Sequence, residues 1–326
     1  MRPTSLSRRA LALAAGAGAF GLATGLRPQP KITRIVVAFP PGGPVDFVAR
    51  ILSEALGKEL GQQVVVENKP GGNGAIAATF VSRAAPDAET LWLSSVGAVA
   101  INPSLYDKLS YNPQADLAPV SLVVNNVEVL VVNPAAPFNT GAEFIAAARK
   151  RPSNPLTMAS SGTGSVPHLA TELLRDAAGI NLMHVPYRGA APAITDVIAG
   201  HVDGFFGDIP GLIGYIKAGK LKPIAIAAPR RHPALPEVRT FAESGVPGVD
   251  SDNWYGLFAA KGTPAAEVDR VNHAVRRVLQ DATVSARLVA SGATPAPSSP
   301  AELAALLRKD SEKWDRLVRS KNIKAD

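Results

Sequence analysis

The sequence predicts an α/β protein of two lobes, each a sheet flanked by helices. Three observations lead there. From residue 31 onward, strand-like and helix-like stretches alternate, the pattern of βαβ units. In the middle of the chain three successive helices close on Ala-Gly, at Gly179, Gly200 and Gly219, and a strand follows each within a few positions. Two irregular stretches, 120–132 and 229–254, have the composition of segments that leave one lobe and later return to it.

The elements follow in order. Residues 33–39 are β-branched and apolar, a buried strand, and 45–60 has helical spacing at Val48, Ile51, Leu52, Ala55 and Leu56, stopped by Gly61. Residues 63–67 form the next strand. Asn68-Lys69-Pro70-Gly71-Gly72-Asn73-Gly74 then turns into a helix over 75–83, and 90–94 is a third strand. Two consecutive βαβ units predict a parallel sheet. Segment 120–132 is too long for one ordinary strand and is interrupted by Asn125-Asn126. Beyond it come a strand over 156–159, helices over 169–178, 191–199 and 212–218, and strands over 181–185, 202–206 and 222–227. The Gly-to-Gly spacings of 21 and 19 residues hold one helix and one strand each. After the second crossing, 255–260 is a strand, and 265–279, 282–290 and 300–319 are helices. The expected division is an export signal over 1–30, lobe 1 over 31–124 and 253–326, and lobe 2 over 125–252.

Composition narrows the function. With 46% apolar and 19% charged residues, the 326-residue chain can build real cores. Cysteine is absent, which excludes disulfides, thiolate metal sites and a cysteine nucleophile. The formal charge of +7 falls to about +4 without Arg2, Arg8 and Arg9 of the leader. So mild an excess, with no basic cluster or stripe, suits small acidic molecules and not nucleic acid. Arg8-Arg9 precede an apolar run, 10–23, too short to span a bilayer and rich in small residues. This reads as an export signal, by the general or the twin-arginine route, and predicts a soluble periplasmic protein.

Two loops carry the chemistry. Ser160-Ser161-Gly162-Thr163-Gly164-Ser165-Val166-Pro167-His168 turns a strand into a helix through small residues and hydroxyls, and Phe39-Pro40-Pro41-Gly42-Gly43-Pro44-Val45-Asp46 does the same near the start. Both leave backbone N–H groups at a helix N-terminus, an anion cradle. Facing each other across a cleft, they would close on a small carboxylate. Asp46 is then in tension with an anion: it reads either as a helix-start residue complementing the dipole or as a contact for a ligand ammonium or a water. His168 reads as a loop hydrogen bond or a ligand contact. Tyr187 could turn its hydroxyl to the cleft or pack, and Asp208 could reach it from a strand end or cap the next helix.

The stretch Ile35-Val36-Val37-Ala38-Phe39-Pro40-Pro41-Gly42-Gly43-Pro44-Val45-Asp46-Phe47-Val48-Ala49-Arg50 resembles the opening of the Bug-type receptors, the extracytoplasmic solute-binding proteins of tripartite tricarboxylate transporters. The resemblance continues through Val66-Glu67-Asn68-Lys69-Pro70-Gly71-Gly72-Asn73-Gly74, Ile101-Asn102-Pro103-Ser104-Leu105-Tyr106, the loop ending at His168, Val185-Pro186-Tyr187-Arg188-Gly189 and Ala218-Gly219-Lys220-Leu221. It departs at Val96-Gly97-Ala98, where the family often carries more polar residues, and that bears on ligand choice. The resemblance implies a periplasmic-binding-protein fold of type II, two α/β lobes joined by two crossing segments. It implies a carboxylate held by Phe39, Pro40, Gly42, Gly43 and Asp46 from one lobe. Ser160, Ser161, Gly162, Gly164, Ser165 and His168 would hold it from the other, with Tyr187 and Asp208 nearby. A monomer serving membrane permease subunits, with no cofactor and no metal, completes the expectation.

Other classes fit worse. Ser165, His168 and Asp208 have the residue types of a hydrolytic triad, but Ser165 lacks the flanking glycines of a nucleophile elbow, and His168 starts the same helix. Gly162-x-Gly164 meets Pro167 where a dinucleotide fingerprint needs its third glycine, and no Gly-Lys-Ser/Thr occurs. The five histidines show no ligand spacing. A sensor that presents its solute to a signalling partner would use the same cleft as a transporter receptor.

Overall fold

The structure is a computed structural model that describes residues 31–324, so the export signal expected over 1–30 lies outside the described residues. Its elements run β1 (Ile32–Val37), α1 (Pro44–Leu60), β2 (Gln63–Asn68), α2 (Ala75–Ser82), β3 (Thr90–Ser95), α3 (Asn102–Leu105), α4 (Pro113–Asp116) and β4 (Leu117–Asn126). The chain continues through β5 (Glu128–Val132), α5 (Gly141–Arg149), β6 (Leu156–Ser160), α6 (Val166–Ala178), β7 (Leu182–Pro186), α7 (Ala190–Ala199), β8 (Gly204–Asp208), α8 (Ile209–Lys217) and β9 (Lys222–Ile226). It ends with β10 (Asn253–Ala260), α9 (Ala265–Gln280), α10 (Ala282–Ser291), β11 (Thr294–Pro295) and α11 (Pro300–Ser320). All belong to the body that starts at Ile32. Among the described residues no helix is long and apolar enough to cross a membrane.

Two sheets organise this body. The first has the order β11-β4-β10-β3-β1-β2, the second β7-β6-β8-β5-β9. Each has a parallel heart, β2-β1-β3 and β7-β6-β8. Neither is parallel throughout: β10 runs antiparallel to its neighbours β3 and β4, and β5 is antiparallel to both β8 and β9. The parallel sheet expected from the two βαβ units is the heart β2-β1-β3, and the complete sheet around it is mixed. The crossing strands cause this, since β5 and β10, the strands by which the chain enters each lobe through the hinge, run against the strands linked by helical crossovers. The long segment near Asn125-Asn126 is two strands in two sheets, parted at Val127.

Apolar side chains cover both faces of each sheet. In the first lobe, Val48, Leu52 and Leu56 of α1 pack with Val271 and Val275 of α9 on one face, and Trp92, Phe258 and Trp314 fill the other. In the second, Phe144, Leu174 and Phe206 lie on one face, and Ile194, Phe205 and Leu212 on the other. Gly179 and Gly200 cap α6 and α7 in the left-handed conformation, and Gly219 adopts it just past α8. A side chain would be strained there, which is why Ala-Gly recurs as the stop signal.

Candidate functional site

In an open α/β sheet the ligand crevice lies beyond the carboxyl ends of the strands, at the point where strand order reverses. The first sheet reverses between β1 and β3, the second between β6 and β8. Residues just past these four strands meet around one cleft: Phe39 and Pro40 after β1, Ser95 ending β3, Ser161 after β6, and Asp208 ending β8. The two reversal points thus face each other.

Four helices begin on this cleft. Gly43, Pro44 and Val45 bring the start of α1, Ser165 and Val166 that of α6, Ala190 and Ala191 that of α7, and Asp208 and Gly211 that of α8. Three of the four, α1, α7 and α8, have no side-chain hydrogen bond at the N-cap. Their first-turn N–H groups are the natural partners of an anion. Each terminus favours negative charge by about 0.3–1 kcal/mol when exposed and up to about 2 when partly buried. Among the described residues no lysine, arginine or histidine lines the cleft, and Asp208 is the one ionisable residue in its wall. The attraction for an anion comes from peptide dipoles.

The structure separates the expected residues into those that line this space and those that shape its walls. Phe39, Pro40, Gly43, Ser161, Ser165 and Asp208 line it. Gly162 and Tyr187 line a second, outer depression that shares Phe39, Pro40 and Ser161 with the first and includes Arg188. The Tyr187 hydroxyl does not turn to the cleft but donates to Asp196 Oδ2 at 2.5 Å. Gly42, Asp46, Ser160, Gly164 and His168 line neither space.

Asp46, 3% exposed, accepts from the Gly42 N–H at 3.0 Å, from Arg50 at 2.8 and 3.0 Å, and from Asn68 Nδ2 at 2.9 Å. Burial pulls its pKa upward, but Arg50, the Gly42 N–H and Asn68 together hold it below the usual carboxylate range. Its geometry is that of a brace for the 39–43 loop. His168 braces the other loop: its Nδ1 accepts from the Gly164 N–H at 3.1 Å, and its ring stacks on His184 at 3.8 Å. Burial, then the charge of Arg175, push its pKa down to about 4, so it is neutral near pH 7. Ser165 caps α6 by accepting from the His168 N–H at 3.4 Å, and Ser160 Oγ pairs with His184 Nε2 at 2.6 Å. With the Ser165 hydroxyl bonded to the His168 backbone, and the ring occupied by Gly164, no proton relay links the three residues of the hydrolytic reading.

The floor of the cleft is a buried polar cluster. Asn253 Nδ2 donates to both carboxylate oxygens of Asp208 at 3.0 Å, and Tyr255 also donates to Asp208. Glu128, the residue paired with Asp208 in the β5–β8 register, completes the group. Burial, and then the charge of Asp208, raise the pKa of Glu128 well above its ordinary value; burial raises that of Asp208 to about 6. Both shifts favour the protonated form of the carboxyl. Asp208 and Glu128 belong to the second sheet and Asn253 and Tyr255 to the first, so the cluster ties the two lobes at their crossings.

Ser95 and Asn253 were not singled out in the sequence, although both line the cleft. The signal for Ser95 was its position at the end of an apolar strand. Val96, Gly97 and Ala98, where the resemblance departs, are buried; Gly97 opens a single π-helical turn, Gly97–Ile101, that packs with Val166 and Leu169 of α6.

Comparison with known proteins agrees with this geometry. The profile of the tripartite tricarboxylate transporter family receptor, TctC, matches residues 48–323. Protein BugT of Bordetella pertussis is 35% identical over 294 residues, covering 89% of each chain. MatC of Rhodopseudomonas palustris, solved with bound malate, superposes with a TM-score of 0.83 at 35% identity, over 89% of this chain and 99% of that one. A second R. palustris protein, solved with adipate, gives a TM-score of 0.88 at 30% identity, over 91% and 100%. The fold is thus that of the periplasmic binding proteins, and the chain belongs to the tripartite tricarboxylate transporter family of receptors, of the Bug type, a binding protein and not an enzyme.

Proposed function

We propose that this chain captures a small carboxylate between its lobes in the periplasm and delivers it, as a monomer, to the membrane permease subunits of a tripartite transporter. The observation that carries this is the convergence of four helix N-termini on one cleft with, among the described residues, no cationic side chain in its wall. The malate and adipate seen in two relatives support the ligand class. Phe39, Pro40, Gly43, Ser161 and Ser165 would receive the carboxylate. The lobes would be 31–124 with 253–326, and 125–252. A ligand that touches both favours the closed form by its differential affinity for that form.

A thermal-shift screen of the purified chain against carboxylates, amines and neutral analogues tests this. A carboxylate at a hundredfold excess over its Kd should add about 2.7 kcal/mol of stability. Ser161→Val should weaken that ligand at least about tenfold, a loss of about 1.4 kcal/mol, while leaving the unliganded melting temperature unchanged. Shifts from amines or neutral compounds alone, or full affinity in Ser161→Val, would sink the assignment.

A further inference from the structure

Resting on that reading and narrowing it, we propose that the solute is a monocarboxylate with an uncharged apolar body, and that the cleft rejects a second carboxylate. The wall of the cleft has two chemistries. Ser95, Ser161 and Ser165 supply hydroxyl-bearing side chains beside the starts of α1 and α6. Val45, Ile194, Phe205 and Leu212 also line it, and each belongs to an apolar core of its lobe. A carboxylate suits the first set; an aliphatic or aromatic body suits the second.

A second carboxylate would have only the starts of α7 and α8, the latter with the Asp208 carboxylate at its N-cap, and, among the described residues, no cationic side chain in this wall to neutralise it. Burying a second ion beside the first without a counter-charge is strongly unfavourable, and among the described residues no lysine, arginine or histidine lines the cleft. Arg188 is exposed and lines only the outer depression. The single ionisable wall residue, Asp208, carries the same charge as the ligand and repels a second anion. Nor is Asp208 set up to receive a ligand ammonium: Asn253 donates to both of its oxygens and Tyr255 to one, with Glu128 opposite it in the strand register. An amino acid would have to displace bonds that join the two lobes.

Hexanoate and adipate are a matched pair for the test, since they share one chain length and differ in a terminal carboxylate. Calorimetric titration is run at about pH 8, above the value of about 6 to which burial raises Asp208. Hexanoate should bind at least about tenfold more tightly than adipate, a gap of about 1.4 kcal/mol. Asp208→Asn should narrow that ratio at least threefold by removing the repelling charge. Adipate binding as tightly as hexanoate in the wild-type chain overturns the proposal, whether or not the variant folds. An unchanged ratio in Asp208→Asn overturns the role given to its charge. If neither acid binds, and benzoate and malate fail as well, it is the carboxylate reading itself that falls.

Discussion

Asp46 lies in the first turn of α1, yet the bonds it accepts from Gly42 and Asn68 fix the loop and strand end around that helix start. Arg50, one turn further along α1, occupies both of its oxygens. The residue is charged because four N–H donors converge on it, and its depressed pKa records that convergence. Asp46→Asn keeps the shape but turns an amide donor toward other donors. A hydrogen bond to a charged group contributes about 1.5–3 kcal/mol, so a loss of about 2–3 kcal/mol is expected. Ligand affinity should fall too, since Phe39, Pro40 and Gly43 lose their brace. Thermal melts and titrations on the variant check both. A folded pKa below the unfolded one stabilises above the unfolded value and is lost as pH falls through the folded one. The wild-type advantage over Asp46→Asn should therefore be full near pH 7 and shrink below about pH 4. A gap that persists undiminished in acid would deny Asp46 this role.

At the scale of elements, β5 and β8 place two carboxyl groups at facing register positions inside the protein, where like charges cannot both be kept. Glu128 and Asp208 both have raised pKa values, caused first by burial. The folded state therefore binds more protons than the unfolded one from about pH 4 up through the raised values, and the pair loses stability as pH rises. Glu128→Gln keeps a neutral donor opposite Asp208 and removes that loss. The variant should gain on the wild type between about pH 5 and 8, by about 1 kcal/mol or more, the worth of one pKa unit. His168, whose lowered pKa makes stability rise with pH between about 4 and 6.5, acts equally in both proteins and cancels in the difference. A melting-temperature gap that stays flat with pH would contradict the assignment. None of this pairing was legible in the sequence: Glu128 and Asp208 meet only through antiparallel register, and Asn253 reads as one polar residue in an irregular crossing. The two loops were legible because Gly, Pro and Ser between an apolar strand and a helix leave few alternatives. Helix α5 was left unassigned, although Thr140 caps it by accepting from the Glu143 N–H at 3.2 Å and Glu143 bonds back to the Asn139 N–H. For Asp46 and His168 the sequence leaves a structural and a ligand-facing reading open, because whether a polar side chain faces the ligand or the loop's own amides depends on distances no spacing rule supplies.

For the whole molecule, the functional variable is closure, and glycines mark where the lobes come together. A Cβ on Gly189, before α7, would meet Pro40 Cδ at 2.9 Å, and one on Gly211, in α8, would meet Pro44 of α1 at 3.0–3.2 Å. Gly189 has a positive φ, so replacing it mixes backbone strain with interlobe contact. Gly211 has no such complication: it lies inside a helix, where leucine is favoured over glycine by roughly 0.5–1 kcal/mol. Gly211→Leu is therefore a wedge between α8 and α1, and it also narrows the cleft that Gly211 lines. The unliganded protein should melt at the wild-type temperature or slightly above it. Ligand affinity should drop at least about tenfold, because ligand binding must now overcome the clash between α8 and α1. Small-angle scattering separates a wedge from a blocked site: saturating ligand should shrink the wild-type radius of gyration and leave that of Gly211→Leu near its unliganded value. Wild-type affinity together with wild-type compaction in Gly211→Leu would show that closure does not pass through the α1–α8 contact, and that the hinge cluster around Asp208 and Asn253 closes the lobes without it.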